Sequence, residues 1–425
     1  MKTRRVMGSE NAPWIFACAC AIVLFGYEHV RSPSNAMLIQ AYGVNSIPVA
    51  MAMLPLLAVP TLLFYGWLMN RWGPARTLWV SSTLSGFALL GAYMAISRGF
   101  SWACWALYWL RECYILLLLE QVWSFLNSFW DEDKASRLNG YVLAVSSIGT
   151  ALGAYHVSEQ AAAWGSHALI LVAVGSCFGF GVVAAWAYRL CPDFEARQRS
   201  DPLKDMSQQE RSRRSIVQVF WQNKALGWIL LLVVTSQIHG TFATVQFQTF
   251  LSESLSTVDA QVAYSGRFFS SLAVTSIVVQ LLLSRPLLVG FGFGKVHLLI
   301  PAIHFVCLLW AMYAMDLRSA ALCLFTFKAL DYSLFRAAKE ILYIPFDFEV
   351  RYRAKEWIDI LGYRGGKVLA SSVLLGLQAL NLAVLVPFCG LVCVCLWGIS
   401  VGYLFIWGQG KGEAFDAGMI SQTKS

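Results

Sequence analysis

The sequence predicts an all-α integral membrane protein with twelve transmembrane helices arranged as two six-helix halves. Three observations predict this fold class. Of the 425 residues, 58% are hydrophobic and only 13% are charged, whereas a soluble domain carries about 25% charged residues. The apolar residues fall into twelve runs that are long enough to span a bilayer. One long polar segment separates the first six runs from the last six.

Each run provides the ~20 mostly apolar residues that a spanning helix needs. Helices are predicted rather than strands, because an open sheet would leave backbone groups unpaired in lipid. The predicted spans cover residues 12–30, 47–69, 77–96, 102–127, 138–157, 168–188, 225–249, 264–283, 296–315, 320–342, 366–383 and 384–407.

The loop charges predict the orientation of these spans. Lysine and arginine accumulate in alternate loops, which is typical of the cytoplasmic side of a membrane protein. These residues are Lys2, Arg4, Arg5, Arg71, Arg76, Lys134, Arg137, Arg285, Lys295, Arg351, Arg353, Lys355, Arg364 and Lys367. The pattern predicts that both termini are cytoplasmic. We attribute the net charge of +8 largely to this bias, and not to nucleic-acid binding.

The polar segment sets the predicted domain boundaries. We expect an N-terminal six-helix half over residues 1–188, a cytoplasmic linker over 189–224 and a C-terminal six-helix half over 225–407. A cytoplasmic tail over 408–425 follows the last span.

A short motif between spans 2 and 3 supports this layout. Residues Gly66–Arg76 read G-W-L-M-N-R-W-G-P-A-R. They resemble the G-x-x-x-D-R-x-G-x-x-R loop of the major facilitator superfamily, with Asn70 in place of Asp, and Gly73 is expected to make the sharp turn. The resemblance implies two six-helix halves that enclose a substrate site near the bilayer midplane.

Charged residues inside the spans are candidates for a substrate site, because each costs ~2.5–3.5 kcal/mol at the centre of a helix. Span 1 ends with Glu28 and Arg31, and Pro33 is predicted to break or kink it. Span 4 carries Arg111 and Glu112. Snorkelling toward a helix end and structural ion pairs between helices are the alternatives for each residue.

Span 10 has the highest concentration of charge. It contains Lys328, Asp331, Arg336, Lys339 and Glu340, which a regular helix at 100° per residue places on one half of its wheel. We interpret this face as the lining of a wet cavity whose net positive charge suits an anionic substrate. A structural ladder of ion pairs is the alternative.

The same span begins a family resemblance. Residues Tyr332–Asp347 read Y-S-L-F-R-A-A-K-E-I-L-Y-I-P-F-D and resemble the Y-S-L-F-x-x-x-K-E-x-x-Y-I-P-L-D stretch of the ATP/ADP translocases. These proteins are nucleotide transporters of plastids and obligate intracellular bacteria. Residues Arg353–Lys367 are similar to that family's K-x-K-x-x-x-D-x-x-G-x-R-x-G-K run. Phe25–Arg31 resembles its F-N-Y-x-x-L-R, Glu112 falls on the acid of its A-E-L-W, and Asp133–Arg137 resembles its D-E-A-K-R.

Two stretches depart from the family pattern. After Arg31 the family reads D-x-K-D, where this chain has Ser32–Asn35, so a lysine and two acids are absent. In span 7 the family's E-V-T-W-K is matched by Thr244–Gln248, which lacks an acid and a base. In the family these charges are implicated in nucleotide binding and exchange. The departures therefore leave another phosphorylated or carboxylated metabolite open as the substrate.

The resemblance implies a secondary transporter that moves a nucleotide of the ATP/ADP type, or a nucleotide-like anion, by alternating access and exchange. The expected substrate-binding residues are Arg31, Glu112, Lys328, Asp331, Arg336, Lys339 and Glu340. The cations would contact phosphates, and the acids would pair with these cations when the site is empty or couple proton movement. A non-transporting membrane scaffold or sensor is the alternative from another class.

The remaining expectations concern chemistry and location. No nucleophile–base pair or His/Cys metal spacing stands out, so no enzyme activity, cofactor or metal site is predicted. The expected partners are an anionic small molecule and the lipid bilayer. Only about a dozen residues precede span 1, which is too few for a plastid transit peptide. A bacterial inner membrane is therefore favoured over an organelle envelope.

Overall fold

The structure, a computed structural model, describes residues 11–129, 132–191, 220–343, 345–346, 350, 354–355 and 357–409. Several sequence predictions lie outside this part of the chain. They concern Lys2, Arg4, Arg5, Asp347, Arg351 and Arg353, residues 192–219 of the predicted linker and 410–425 of the predicted tail, together with the side chains of residues 132–137 and Arg285.

All regular secondary structure in the described residues is helical. The helices, renumbered here in chain order, are α1 Ala12–Tyr42, α2 Ser46–Ser97, α3 Trp102–Phe129, α4 Glu132–Trp164, α5 Leu169–Arg189, α6 Lys224–Ser254, α7 Val258–Val278, α8 Ser284–Phe291, α9 Phe293–Ala314, α10 Leu317–Leu330, α11 Arg336–Ile341, α12 Gly366–Ala379 and α13 Val386–Gln409. Three π-helical segments, Val279–Leu283, Asp331–Phe335 and Ile358–Gly365, and a short 3₁₀ turn, Ala383–Leu385, lie between them.

Eight helices in the described part of the chain are long and apolar enough to cross a membrane. Helix α2 has 52 residues and covers predicted spans 2 and 3. It is broken at Gly73, whose φ of 76° and ψ of 173° are not helical, and this confirms the predicted turn at that glycine. Pro74 directly after the break lies at a position where a helix tolerates proline. The count of twelve spans and their division into two halves stay predictions.

Contacts group the chain into two compact units. The first draws on Met1–Ser46, Leu54–Gln209 and Leu255–Val274, and the second on Ile47–Met53, Glu210–Ser254 and Thr275–Ser425. Helix α7 is therefore shared, because it passes from the first unit to the second after Val274.

Each unit has a central helix. In the first unit α1 packs against α3, α4 and α5, and the rings of Phe16 and Phe125 stack with centroids 4.0 Å apart. In the second unit α6 packs against α10, α12 and α13, around a core that includes Phe335, Tyr343 and Trp397. In both units the central helix carries polar side chains into the interior, and these are the starting point for the candidate site.

Candidate functional site

Arg111 of α3 is the centre of a polar cluster in the first unit. The residue is 4% exposed. Its Nη1 donates to the Arg31 carbonyl at 2.5 Å, to Ser34 Oγ at 2.6 Å and to Asn35 Oδ1 at 2.9 Å. Its Nε donates to Glu112 Oε1 at 3.1 Å. One buried guanidinium therefore joins a turn of α1 to α3.

These bonds fall on the turn that contains Pro33. The sequence predicted a break or a kink at Pro33; helix α1 is continuous from Ala12 to Tyr42, so a break was wrong and a kink stays a prediction. Proline removes a backbone donor from this turn, but such a loss is tolerated in membrane helices when a neighbouring helix satisfies the freed groups. Arg111 bonds three acceptors beside Pro33 and so ties this turn to a neighbouring helix. The sequence identified Arg111 only as a charged residue inside an apolar helix. It did not indicate that Arg111 joins α3 to α1.

Arg31 and Glu112, two predicted substrate residues, also lie in this cluster. Arg31 Nη1 donates to Glu28 Oε1 at 2.9 Å, and its guanidinium carbon lies 3.5 Å from the ring centroid of Phe269 on α7. Glu112 pairs with Arg111 and is one-third exposed. Two arginines and two glutamates thus compensate one another, and the cluster has no net charge.

A histidine pair lies on the same turn of α1 and was not predicted. His29 Nδ1 lies 2.9 Å from the Phe25 carbonyl, and His29 Nε2 lies 2.8 Å from His156 Nδ1 on α4. Because a carbonyl only accepts, Nδ1 of His29 donates to Phe25, and one proton is shared between His29 Nε2 and His156 Nδ1. The pair therefore joins α1 to α4.

A second cluster lies in the second unit, around the π-helical turn Asp331–Phe335. Arg336 Nη2 lies 3.4 Å from Asp331 Oδ2, five residues away. In a regular α-helix two residues at this spacing are offset by about 140°, whereas a π turn brings them onto one face. The assumption of a regular helix over span 10 was therefore wrong, and the actual backbone pairs two residues that the wheel had set apart.

Beyond the π turn the charges form a ladder. Lys339 Nζ lies 2.6 Å from Asp359 Oδ1 and 3.8 Å from Glu340 Oε1. Lys355 Nζ lies 2.6 Å from Glu340 Oε2. The Lys339 side chain is 4% exposed, whereas Lys355 and Glu340 are both about two-fifths exposed. The ladder thus runs from a buried lysine toward a wetter end.

Tyrosines connect the cations of this cluster. The Tyr363 ring centroid lies 4.9 Å from Lys339 Nζ and 5.7 Å from Arg336 Cζ. Tyr332 OH accepts from Lys328 Nζ at 3.4 Å, and its ring lies 5.4 Å from Arg336 Cζ. Such ring faces attract cations, so the two tyrosines hold Lys328, Arg336 and Lys339 in one neighbourhood.

The second cluster contains all five charged residues predicted in span 10, with three additions. Lys355, Asp359 and Tyr363 join Lys328, Asp331, Arg336, Lys339 and Glu340. In the sequence Lys355 counted as a loop charge that set the topology and as part of a family motif, and Asp359 only as part of that motif. Four cations face three acids, so the cluster keeps one net positive charge. Within the described residues, no three His, Cys, Asp or Glu side chains gather as a metal site would require.

Comparison with known proteins gives one family and one curated relative. The family described as "TLC ATP/ADP transporter" matches residues 101–407, a range that includes Arg111, Glu112 and the whole second cluster. The chain is 23% identical over 342 residues to "ADP,ATP carrier protein 1" of Rickettsia bellii (strain RML369-C). That alignment covers 71% of this chain and 68% of the relative.

Comparison with solved structures gives the fold. The nucleoside transporter NupG has a TM-score of 0.62 at 13% identity, covering 98% of this chain and 100% of its own. A bacterial homologue of the iron transporter ferroportin has a TM-score of 0.65 at 10% identity, covering 93% and 98%. A D-xylose-proton symporter has a TM-score of 0.63 at 12% identity, covering 92% and 96%. The shared fold is that of major facilitator transporters.

Proposed function

The chain belongs to the TLC ATP/ADP transporter family, and on that premise we propose that it exchanges a nucleotide of the ATP/ADP type, or a closely similar anion, by alternating access. That it is a membrane transporter and not an enzyme follows from the family and the fold. The finer assignment rests on the charged residues of its interior.

The observation that supports a phosphorylated substrate is the paired state of the second cluster. Asp331 Oδ2 lies 3.4 Å from Arg336 Nη2, and Asp359 Oδ1 lies 2.6 Å from Lys339 Nζ. Carboxylates holding cations in this way keep the interior close to neutral without substrate. Phosphate oxygens can take their place, since Arg contacts phosphate bidentately and Lys acts as a point charge.

We therefore assign phosphate contacts to Lys328, Arg336 and Lys339, and counter-charge roles to Asp331 and Glu340. Asp359 joins the acids as the direct partner of Lys339. In the first unit, Arg31 is proposed as an anion contact and Glu112 as the acid that holds a neighbouring arginine. Exchange replaces one bound anion by another. The positive charges of the clusters are therefore balanced at every stage, either by the bound anion or by the neighbouring carboxylates.

The test is uptake of radiolabelled ATP, ADP and GTP by cells that express the chain, followed by efflux on addition of unlabelled nucleotide. We expect nucleotide uptake that Lys339→Ala abolishes. Lys295→Ala is the matched control, because Lys295 is exposed on α9 and lies outside the cluster. Uptake of no nucleotide would sink the nucleotide assignment, and intact function in Lys339→Ala would favour a scaffold or sensor.

A second substrate class is supported by α6. Where the family carries a lysine, this chain has Gln248, which is 3% exposed, and where the family carries an acid it has Thr244. Fewer interior charges suit a smaller anion, such as another phosphorylated or carboxylated metabolite. Competition against labelled ATP separates the two classes, with a sugar phosphate that outcompetes ATP as the result that decides for the second.

We also propose a bacterial inner membrane with both termini cytoplasmic. The loop-charge bias of the sequence supports the orientation. Fusion of a fluorescent protein to the C-terminus, compared with fusion of a phosphatase that is active only outside the cytoplasm, tests the orientation. Fluorescence without phosphatase activity is expected, and the reverse result contradicts the proposed topology.

A further inference from the structure

A cavity of about 350 Å³ lies between the two arms of α2 and helix α3. The lining residues come from within Pro60–Leu68 on one arm and within Ser81–Leu89 on the other, and from Leu110, Cys113, Tyr114 and Leu117 on α3. This cavity takes no part in either charged cluster. The most apolar stretch of α2 is only 17% buried, against 50% for α5. The cavity therefore lies along a helix that most of the protein does not cover.

The cavity lining suits a hydrocarbon. Most of its walls are aliphatic or aromatic, and Phe64 and Leu84 are about half exposed. The hydroxyl groups of its serines and its threonine are already bonded within the protein, whereas the Tyr114 hydroxyl is buried without a hydrogen-bond partner. Thr61 Oγ1 donates to the Leu57 carbonyl, Ser85 Oγ donates to the Ser81 carbonyl, and Ser81 Oγ accepts from Gln121 Nε2 at 2.8 Å. A polar occupant would find few partners among these hydroxyls.

The cavity ends close to a cationic turn. Arg71 and Arg76 flank the break at Gly73, and both are exposed. Leu68 precedes Arg71 by three residues, or about 4.5 Å of helix rise, and Ser81 follows Arg76 by five residues, or about 7.5 Å. Glu120, one turn beyond Leu117 on α3, is the acid nearest to this end along that helix. Among the side chains that the structure describes on α2 and α3 at this end, two cations face one acid, which makes the mouth positive.

Aromatic residues mark the same turn as a membrane interface. The rings of Phe64, Trp67 and Trp72 lie in a row, with the centroids of successive rings 5.9 and 6.2 Å apart. Tryptophan is enriched where membrane helices meet the head groups. From this interface the cavity extends along eight residue steps of each α2 arm, or about 12 Å, which is close to the hydrocarbon depth of one leaflet, about 15 Å.

We infer that this cavity binds one acyl chain of an anionic phospholipid, whose phosphate head group lies against Arg71 and Arg76. The apolar lining selects the acyl chain of the lipid, and the two arginines select a negatively charged head group. The site is separate from the proposed nucleotide exchange and does not depend on it. A phospholipid wedged here would also support α2, which packs little against the rest of its unit.

The test is native mass spectrometry of the full chain purified with phosphatidylglycerol or with phosphatidylcholine of the same acyl chains. Retention of phosphatidylglycerol over phosphatidylcholine is expected. Arg71→Gln with Arg76→Gln should reduce phosphatidylglycerol retention about thirtyfold, since each basic residue near the surface contributes about 1 kcal/mol. Arg98→Gln is the matched control. Arg98 caps the C-terminal end of α2, far along the helix from the break at Gly73, and its replacement should leave lipid retention unchanged. Equal retention of the two lipids would overturn the charge selection.

A second variant tests whether the acyl chain of the lipid occupies the cavity. Ala88 lines the cavity, and Ala88→Phe fills it, which should lower retention about tenfold through the loss of about two buried methylene contacts. Ala95→Phe lies on the same arm outside the lining and should retain the lipid. If Ala88→Phe holds phosphatidylglycerol as tightly as the original chain, the cavity is not the binding site. The arginine variants keep the proposal testable should Ala88→Phe fail to fold.

Discussion

At the scale of single residues, Arg111 is the side chain on which the interior of the first unit most depends. Its guanidinium serves four acceptors on two helices. Lysine keeps the charge but cannot reproduce a planar fork. Arg111→Lys should therefore lower the unfolding free energy by about 1–3 kcal/mol, the cost of leaving buried acceptors without their hydrogen bonds. Denaturant unfolding in detergent measures it.

The control for that change is Arg98→Lys. Arg98 is exposed at the end of α2, where surface substitutions stay within about 0.5 kcal/mol. If both variants cost the same, Arg111 does not have the role that its hydrogen bonds indicate.

Lys339 and Lys355 form a natural matched pair for a second residue-scale prediction. Each Nζ lies 2.6 Å from a carboxylate, but the Lys339 side chain is 4% exposed and that of Lys355 is 43% exposed. Lys339→Gln should cost about 2 kcal/mol, less than a fully buried pair because Asp359 can hydrate, and Lys355→Gln should cost under about 1 kcal/mol. Adding Asp359→Asn to Lys339→Gln should restore part of the loss, as a double-mutant cycle would show. Equal costs for the two lysines would contradict the ladder's burial gradient.

Sequence could identify these charges but not their partners. Lys328, Asp331, Arg336, Lys339 and Glu340 stand out in an apolar span, so their gathering in one cluster followed from composition. Their pairing depends on the π turn, which no periodicity in the residues indicated. Asp359 and Lys355 lie 20 and 15 residues beyond their partners Lys339 and Glu340, outside the helix that carries those partners, and only the folded structure shows that they complete the ladder.

At the scale of helices, close packing of α4 on α1 is the contact most sensitive to small changes. A methyl group at Gly149 would overlap the Ala21 carbonyl, and one at Gly153 would overlap the Phe25 carbonyl. Backbone atoms cannot rotate away, so Gly149→Ala and Gly153→Ala should each destabilise the protein by about 1–3 kcal/mol. Thermal unfolding in detergent measures the effect.

Gly175→Ala on α5 is the control for these changes, because a Cβ at Gly175 meets nothing within 4 Å. Alanine there should stabilise by about 0.4–1 kcal/mol by restricting the unfolded chain. A destabilisation equal to that at Gly149 would show that glycine matters in these helices for a reason other than packing.

The helices also show which elements the residues predict well. The long apolar runs predicted helices α1, α3, α5, α6 and α9, and most of the predicted ends lie within a few residues of the observed ones. Such spans are predictable because the length of the hydrophobic run decides them. Helix α1 was predicted too short, since it continues through Pro33 to Tyr42. The turn at Pro33 is bonded by Arg111, a residue 78 positions away (111 − 33), and local sequence does not reveal this contact.

At the scale of the whole molecule, the clusters and the fold lead to a prediction about ligand-induced stability. A transporter binds its substrate in the folded state, so ligand at 100 times its Kd should add about 2.7 kcal/mol to the unfolding free energy. We expect ATP and ADP to raise the Tm of the purified chain in detergent. Lys339→Gln should remove the increase and Lys295→Gln should keep it, because only Lys339 belongs to the ladder that the phosphates must displace. A rise in Tm with a sugar phosphate or dicarboxylate, but not with nucleotide, would assign the smaller anion as substrate. No rise with any anion would contradict an anion site in this interior.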